Sequence, residues 1–253
     1  MRTSRLASRL ASIVLALALP VGAMAQQLTV SAAASLTDAF KEIGTQFEAS
    51  KPGATVRFNF AASGVLLQQI SQGAPVDVFA SADQETMDRA VNQKLIDSAT
   101  RKDFATNSLV LIEPAQGGAG LKTLQDLTGP HVKKIAVGKT ATVPVGRYTR
   151  EALEAAGLWA PLEPRFVQAD SVRQVLDYVS RGEVEAGFVY RTDAAVMGDK
   201  VRVVLTATGH TPVSYPIAAT AESKEKALAK DFIAFLSTEQ AQAVLVRFGF
   251  GKP

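Results

Sequence analysis

The stretch LTVSAAASLTDAFKEIGTQF, residues 28–47, changes its period halfway along. Leu28-Thr29-Val30-Ser31 is short and apolar, as a buried strand is, whereas from Ser35 onward Leu36, Ala39, Phe40, Ile43 and Phe47 recur at the spacing of one helix face. A strand therefore passes into a helix through Ala32-Ala33-Ala34-Ser35. The unit recurs downstream. Val56 to Phe60 reads as a second strand, Ser63 opens a helix carrying Leu66, Leu67 and Ile70, and Val76-Asp77-Val78-Phe79-Ala80 is a third strand, leading to a helix begun by Asp83. A β-α-β-α-β order predicts an α/β fold, a parallel sheet with helices on its faces.

Past residue 105 the same grammar restarts, with Ser108 to Ile112 as a strand, a turn at Gly117-Gly118-Ala119-Gly120 and a strand at Ile135 to Val137. Pro144 opens a helix through Ala156, Arg165 to Val167 is a strand, and Ser171 to Ser180 is a helix with Val172, Val175, Leu176 and Val179 on one face. Strands at Ala186 to Tyr190, Val201 to Leu205 and Val213 to Ala219 follow, then helices at Lys226 to Leu236 and Glu239 to Phe248. No short repeat and no low-complexity tract interrupts the series. Two α/β lobes are the natural division.

The first 25 residues read differently. Arg2, Arg5 and Arg9 precede an apolar run from Leu10 to Leu19, Pro20 and Gly22 break it, and Ala23-Met24-Ala25 is a small-x-small cleavage site. This predicts a cleaved export signal; the run is short of the ~20 residues that a spanning helix needs. The chain of 253 residues carries 27 basic and 24 acidic side chains, a net charge of +3. Cleavage after Ala25 removes three arginines and no carboxylate, leaving 24 against 24. A broad basic field for nucleic acid is thereby excluded, and an anion would have to be held by local geometry. With no cysteine in the chain, disulfides, thiolate metal sites and an amino-terminal cysteine anchor fall away.

The strand-to-helix junctions Ala61-Ala62-Ser63-Gly64, Val143-Pro144-Val145-Gly146 and Ala169-Asp170-Ser171-Val172, with Ala32 to Ser35, are poor in charge for loops that face water. Each starts a helix, where unpaired N–H groups and the positive end of the helix dipole favour an anion, and in open α/β sheets this edge is where ligands bind. Ser35 and Ser63 add hydroxyls. A serine before a helix is ordinarily only an N-cap, worth ~1 kcal/mol, and a tyrosine ending a buried strand, such as Tyr190, is ordinarily a core residue. The four junctions together, spread over both lobes, make the case for a binding cleft.

An enzyme finds little support. His131 and His210 lie in loops with no metal-ligand spacing, no nucleophile elbow, Walker loop or dinucleotide fingerprint is present, and Asp77, Asp83 and Asp170 have strand or capping explanations. A secreted hydrolase remains the alternative from another class.

In order and at these spacings, Ala32-Ala33-Ala34-Ser35-Leu36, Phe60-Ala61-Ala62-Ser63-Gly64, Gly73 to Asp83, Asn107-Ser108-Leu109-Val110, Val143 to Tyr148, Gly187-Phe188-Val189-Tyr190 and Arg247 to Phe250 resemble the periplasmic molybdate-binding proteins, the soluble components of molybdate ABC importers. The resemblance runs from Leu28 to Phe250. It implies a type II periplasmic binding protein fold, each lobe a mostly parallel sheet flanked by helices, with residues 26–106 plus 218–253 as lobe one and 107–217 as lobe two. It also implies a monomer without cofactor that binds molybdate or tungstate, the metal carried as its oxyanion, and docks on a membrane permease. The oxyanion contacts carry over to the hydroxyl and amide of Ser35 and Ser63, the amides of Val145 and Val172, and the hydroxyl of Tyr190. Sulfate is the alternative ligand within the class. Two departures from the family pattern are Lys139-Thr140 after Gly138, where Asp-Pro or Asn-Pro is usual, and Val145, where alanine is commoner.

Overall fold

A computed structural model describes residues 26–253; the export signal expected at residues 1–25 lies outside the described residues. The chain begins with β1 (Gln26–Ala33), α1 (Thr37–Ser50), β2 (Ala54–Ala61), α2 (Ser63–Ser71), β3 (Val78–Ala80), α3 (Gln84–Asn92) and β4 (Lys102–Asn107). It continues with β5 (Leu109–Pro114), β6 (Ile135–Gly138), α4 (Pro144–Ala155), α5 (Trp159–Leu162), β7 (Phe166–Ala169), α6 (Val172–Ser180), β8 (Ala186–Tyr190), α7 (Arg191–Val196) and β9 (Val201–Thr206). It ends with β10 (Val213–Ala219), α8 (Lys226–Phe235) and α9 (Glu239–Arg247).

These elements form two five-stranded sheets of matching order, β2-β1-β3-β10-β4 and β7-β6-β8-β5-β9. The expected α/β two-lobed architecture is present, with one refinement: both sheets are mixed. β10 runs antiparallel to both β3 and β4, and β5 antiparallel to both β8 and β9, so one strand in each sheet opposes the other four. Those two strands are the ones that enter from the other lobe. Only Ser108 separates β4 from β5, so the chain crosses almost straight, and its direction in the second sheet is set by the crossing. Side-chain periodicity carries no information on strand direction, because a strand read either way has the same two faces. The return crossing lies between Thr206 and Val213, and β10 pairs in the first sheet from Val213 onward, so residue 218 falls inside that strand.

Local chemistry explains the starts of the elements. The helix expected from Ser35 is preceded by a 3-10 turn over Ala34–Leu36, and the α-helix proper begins at Thr37, whose hydroxyl donates to the Ala34 carbonyl at 2.7 Å. Ala39, Phe40, Ile43 and Phe47 are buried as the spacing predicts. Phe40 packs against Phe58, Phe104 and Phe232, with ring centroids 5.6 to 6.1 Å apart, and so ties α1 to β2, β4 and α8. Burying a side chain of this size stabilises the lobe by roughly 2–3 kcal/mol. The short helices α5 and α7 have too few residues for a period to show in the sequence, and the six residues of β4 do not alternate, its buried positions Phe104 and Ala105 being adjacent.

Candidate functional site

The four charge-poor junctions meet between the lobes. Ser35, Ser63, Val145, Val172 and Tyr190 all line one cavity, together with the small or apolar residues Ala33, Ala34, Ala62, Ala82, Val143 and Pro144. Its volume is about 10 Å³. Pockets for organic ligands run from ~300 Å³ upward, whereas ~10–15 Å³ is the room of one water, so the lining has closed in and a ligand of several heavy atoms enters only as the lobes part.

The hydroxyls here do not cap helices. Ala62 holds the N-cap position of α2, and neither Ser35 nor Ser63 makes a capping bond. Ser63 Oγ instead accepts the amide of Ala82 at 3.0 Å, and Ser35 Oγ lies 3.0 Å from Tyr215 Oη. The contrast with true caps is direct: Ser171 accepts the Gln174 amide, and Asp83 the Thr86 amide. Backbone donors complete the lining. As the first residues of α2 and α6, Ser63 and Val172 carry amides for which helix geometry supplies no acceptor. In α4 the first residue is Pro144, which has no N–H, so the first amide is that of Val145. This helix start can approach β6 only because residue 146 is glycine: a Cβ there would lie 2.0 Å from the Gly138 carbonyl oxygen.

Tyr190 ends β8 fully buried, and among the described residues its hydroxyl has no hydrogen-bond partner. A buried phenol left without a partner costs about 1–3 kcal/mol. Burial also holds its pKa well above the usual range, so the group remains a proton donor at neutral pH.

Charged side chains frame the cavity without lining it. Arg147 of α4 reaches Asp83 in the first lobe, with Nε 2.8 Å from Oδ2, and donates to Thr86 Oγ1 at 2.7 Å. Arg173 of α6 joins Asp38 of α1 at 2.8 Å and Asp193 of α7 at 2.6 Å. Asp193 is fully buried, and desolvation raises its pKa from 3.8 to about 6 although Arg173 pulls it down. Tyr148 donates to the Ala82 carbonyl at 3.4 Å, and the Gly64 amide to the Thr142 carbonyl at 2.9 Å. The lobes are thus closed on each other around the donors.

The other sequence candidates lie elsewhere. Asp77, one residue before β3, accepts the Thr29 amide and the Ser223 hydroxyl. Asp170 pairs with Lys139 on the surface at 2.5 Å. His131 is exposed; His210 is half-buried, 5.6 Å from the Tyr148 ring. Among the described residues no cluster of three histidines or carboxylates is placed to hold a metal ion. Of the Lys139-Thr140 departure, the Thr140 carbonyl accepts from Arg147 at 3.0 Å, so this pair supports the frame and does not line the cavity. What sequence reasoning missed is Tyr215, buried behind Ser35, and the lining role of Ala82.

Two α/β lobes closed over a small, donor-lined cavity define a solute receptor of the periplasmic binding protein type. The family model described as bacterial extracellular solute-binding protein matches residues 28–251. The chain belongs to that family. It is 41% identical over 229 residues to the molybdate-binding protein ModA of Escherichia coli K12, covering 88% of each chain. Among solved structures, the substrate-binding domain of a putative molybdenum ABC transporter from Clostridium difficile is 39% identical, with a TM-score of 0.69, over 90% of this chain and 99% of that one. The periplasmic molybdate-binding protein of Azotobacter vinelandii is 26% identical, with a TM-score of 0.76, over 89% and 99%. Among the described residues no helix is long and apolar enough to cross a membrane.

Proposed function

We propose that this protein binds molybdate, and tungstate with it, in the periplasm and delivers the anion to the permease of an ABC importer. The observation that carries the reading is the donor set: hydroxyls and helix-start amides line the cavity, and among the described residues no carboxylate does and the Tyr190 hydroxyl has no acceptor. Ser35 and Ser63 each offer a hydroxyl and an amide, Val145 and Val172 an amide each, and Tyr190 its phenol. A fully deprotonated tetrahedral dianion has acceptors for all of these and no proton of its own to satisfy. Each such bond contributes ~1.5–3 kcal/mol, so the set is enough for an affinity near or below micromolar, ~8 kcal/mol, after dehydration and lobe closure. Phosphate carries a proton near neutral pH and would meet no dedicated acceptor. Sulfate has the same charge as molybdate and would be refused on size. The curated and solved relatives named for molybdate or molybdenum support this ligand over sulfate.

In this reading the protein is an exported monomer with no catalytic turnover, whose signal is cleaved after Ala25. Residues 26–107 with 213–253 form one lobe and 108–212 the other, closing on the ligand as the permease-recognised state. Calorimetry of the mature chain tests it. Tight binding of molybdate and tungstate, weak binding of sulfate and none of phosphate is the expected result; tight sulfate with weak molybdate would overturn it, and hydrolysis of an ester or phosphoester would move the protein to another class.

A further inference from the structure

Ser35 does not face the cavity alone. Behind it Tyr215 Oη lies 3.0 Å from Ser35 Oγ, and Asn107 Nδ2 donates to that same Oη at 3.2 Å. Tyr215 is fully buried, and Ser35 is 3% exposed. The direction of this chain follows from its ends. Asn107 Oδ1 accepts the Ser108 amide at 2.9 Å, so the side-chain amide cannot be turned over without setting two donors against each other. Nδ2 is then the atom facing Tyr215, and it donates also to Thr192 Oγ1 at 2.9 Å. Tyr215 Oη accepts from Asn107 and still has one proton to place. Among its partners only Ser35 Oγ can take it, because Asn107 Nδ2 has no lone pair to offer. Were Ser35 to donate to Tyr215 instead, the buried phenol proton would have no acceptor. With Oγ accepting from Tyr215, the Ser35 proton turns away from it, toward the cavity.

We propose that Asn107 and Tyr215 are positioning residues that fix the direction of the Ser35 hydroxyl, so that Ser35 meets the anion as a donor and the site refuses anions that carry a proton. A serine hydroxyl is otherwise free to rotate and can accept as readily as it donates. The relay removes that freedom. It starts at the end of β4 and passes through β10, the two strands that flank the crossings between lobes, and Thr192 ties its first member to the second lobe. The inference rests on Ser35 touching the ligand, as proposed above.

The test is a double-mutant cycle on the full mature chain, with molybdate and inorganic phosphate as probes in calorimetry. Tyr215→Phe is expected to weaken molybdate about tenfold in the wild-type background and to have no further effect in Ser35→Ala, because its action passes through that hydroxyl. In Tyr215→Phe the freed Ser35 can accept a phosphate proton, so phosphate affinity rises relative to molybdate. Asn107→Asp keeps the shape but offers Tyr215 an acceptor, reversing the chain; it is expected to weaken molybdate more than tenfold and to shift the same ratio further toward phosphate. An equal loss from Tyr215→Phe with and without Ser35, or an unchanged ratio in both variants, would overturn the relay and leave the site reading in place. An unchanged molybdate affinity in Ser35→Ala alone would remove Ser35 from the site, and the relay with it.

Discussion

The amide of Gly64 donates to the carbonyl of Thr142 at 2.9 Å, and the two residues belong to different lobes. A Cβ built on Gly64 would sit 2.7 Å from both Cα and O of Thr142. Gly64→Ala should therefore oppose closure while favouring α2 in the open protein, where alanine is the better helix residue by roughly 0.5–1 kcal/mol. Steric insertion of this kind costs about 1–3 kcal/mol, so molybdate affinity should fall some 5- to 150-fold with the ligand-free melting temperature unchanged or higher. Calorimetry and thermal denaturation check the two halves separately.

Tyr190→Phe removes a hydroxyl that has no partner among the described residues. Ligand-free stability should hold or rise, because a buried group without an acceptor is lost. Binding should weaken by about 1.5–3 kcal/mol, the worth of one hydrogen bond to a charged acceptor. Equal losses of stability and affinity would mean that the hydroxyl belongs to the core.

Arg147 and Asp83 form a nearly buried pair across the lobes, with side chains 12% and 6% exposed. Arg147→Met strands the carboxylate, and breaking such a pair costs about 3–5 kcal/mol. Asp83 still caps α3, so the first lobe should remain folded and the loss should appear mainly in the closed, ligand-bound protein. Melting curves with and without molybdate measure it; a smaller ligand-induced rise in the variant is the expected outcome.

Asp193 supplies a pH dependence. Burial raises its pKa to about 6, against ~4 in an unfolded chain, so the folded state binds the proton more tightly. Its stabilising contribution is complete below pH ~4 and is lost as pH rises toward about 6. Arg173 faces it, with Asp38 on the far side of that arginine. Relative to Asp193→Asn, the wild type should lose stability between pH 4 and pH 6 and then level off, as read by chemical denaturation at each pH. A constant difference would show that this carboxyl titrates alike in both states.

Much of this was legible in the residues and some was not, for identifiable reasons. The helix faces of α1 and α6 announce themselves because a core needs a stripe at fixed spacing. The four junctions stood out because small, uncharged helix starts are unusual where a chain turns at the surface, whereas Tyr190 reads as a core tyrosine and entered only through the family resemblance. That Ser35 and Ser63 spare their hydroxyls while Ser171 caps its helix could not be read, since all three precede or begin a helical pattern alike. Tyr215 stayed hidden too: inside a strand with Ile217 and Ala219 on its own face it looks like any core aromatic, and its partner Asn107 is 108 residues away. Contacts of that span depend on topology, and the reversed insertions of β10 and β5 are what the pattern did not carry.

That insertion has a consequence for the order in which the protein can be made. Among the described strands β4 pairs only with β10, which joins it to β3, and its one further bridge, from Thr106 to Gly251, forms later still in the chain. Synthesis thus supplies every strand of the second sheet by Thr206, while the first sheet, begun 180 residues earlier, waits for residues 213–219 to join its two pieces. The lobe that is started first is the last to be finished. Whichever process presents the chain from its amino end, β3 and β4 stay unjoined until residues 213–219 have followed.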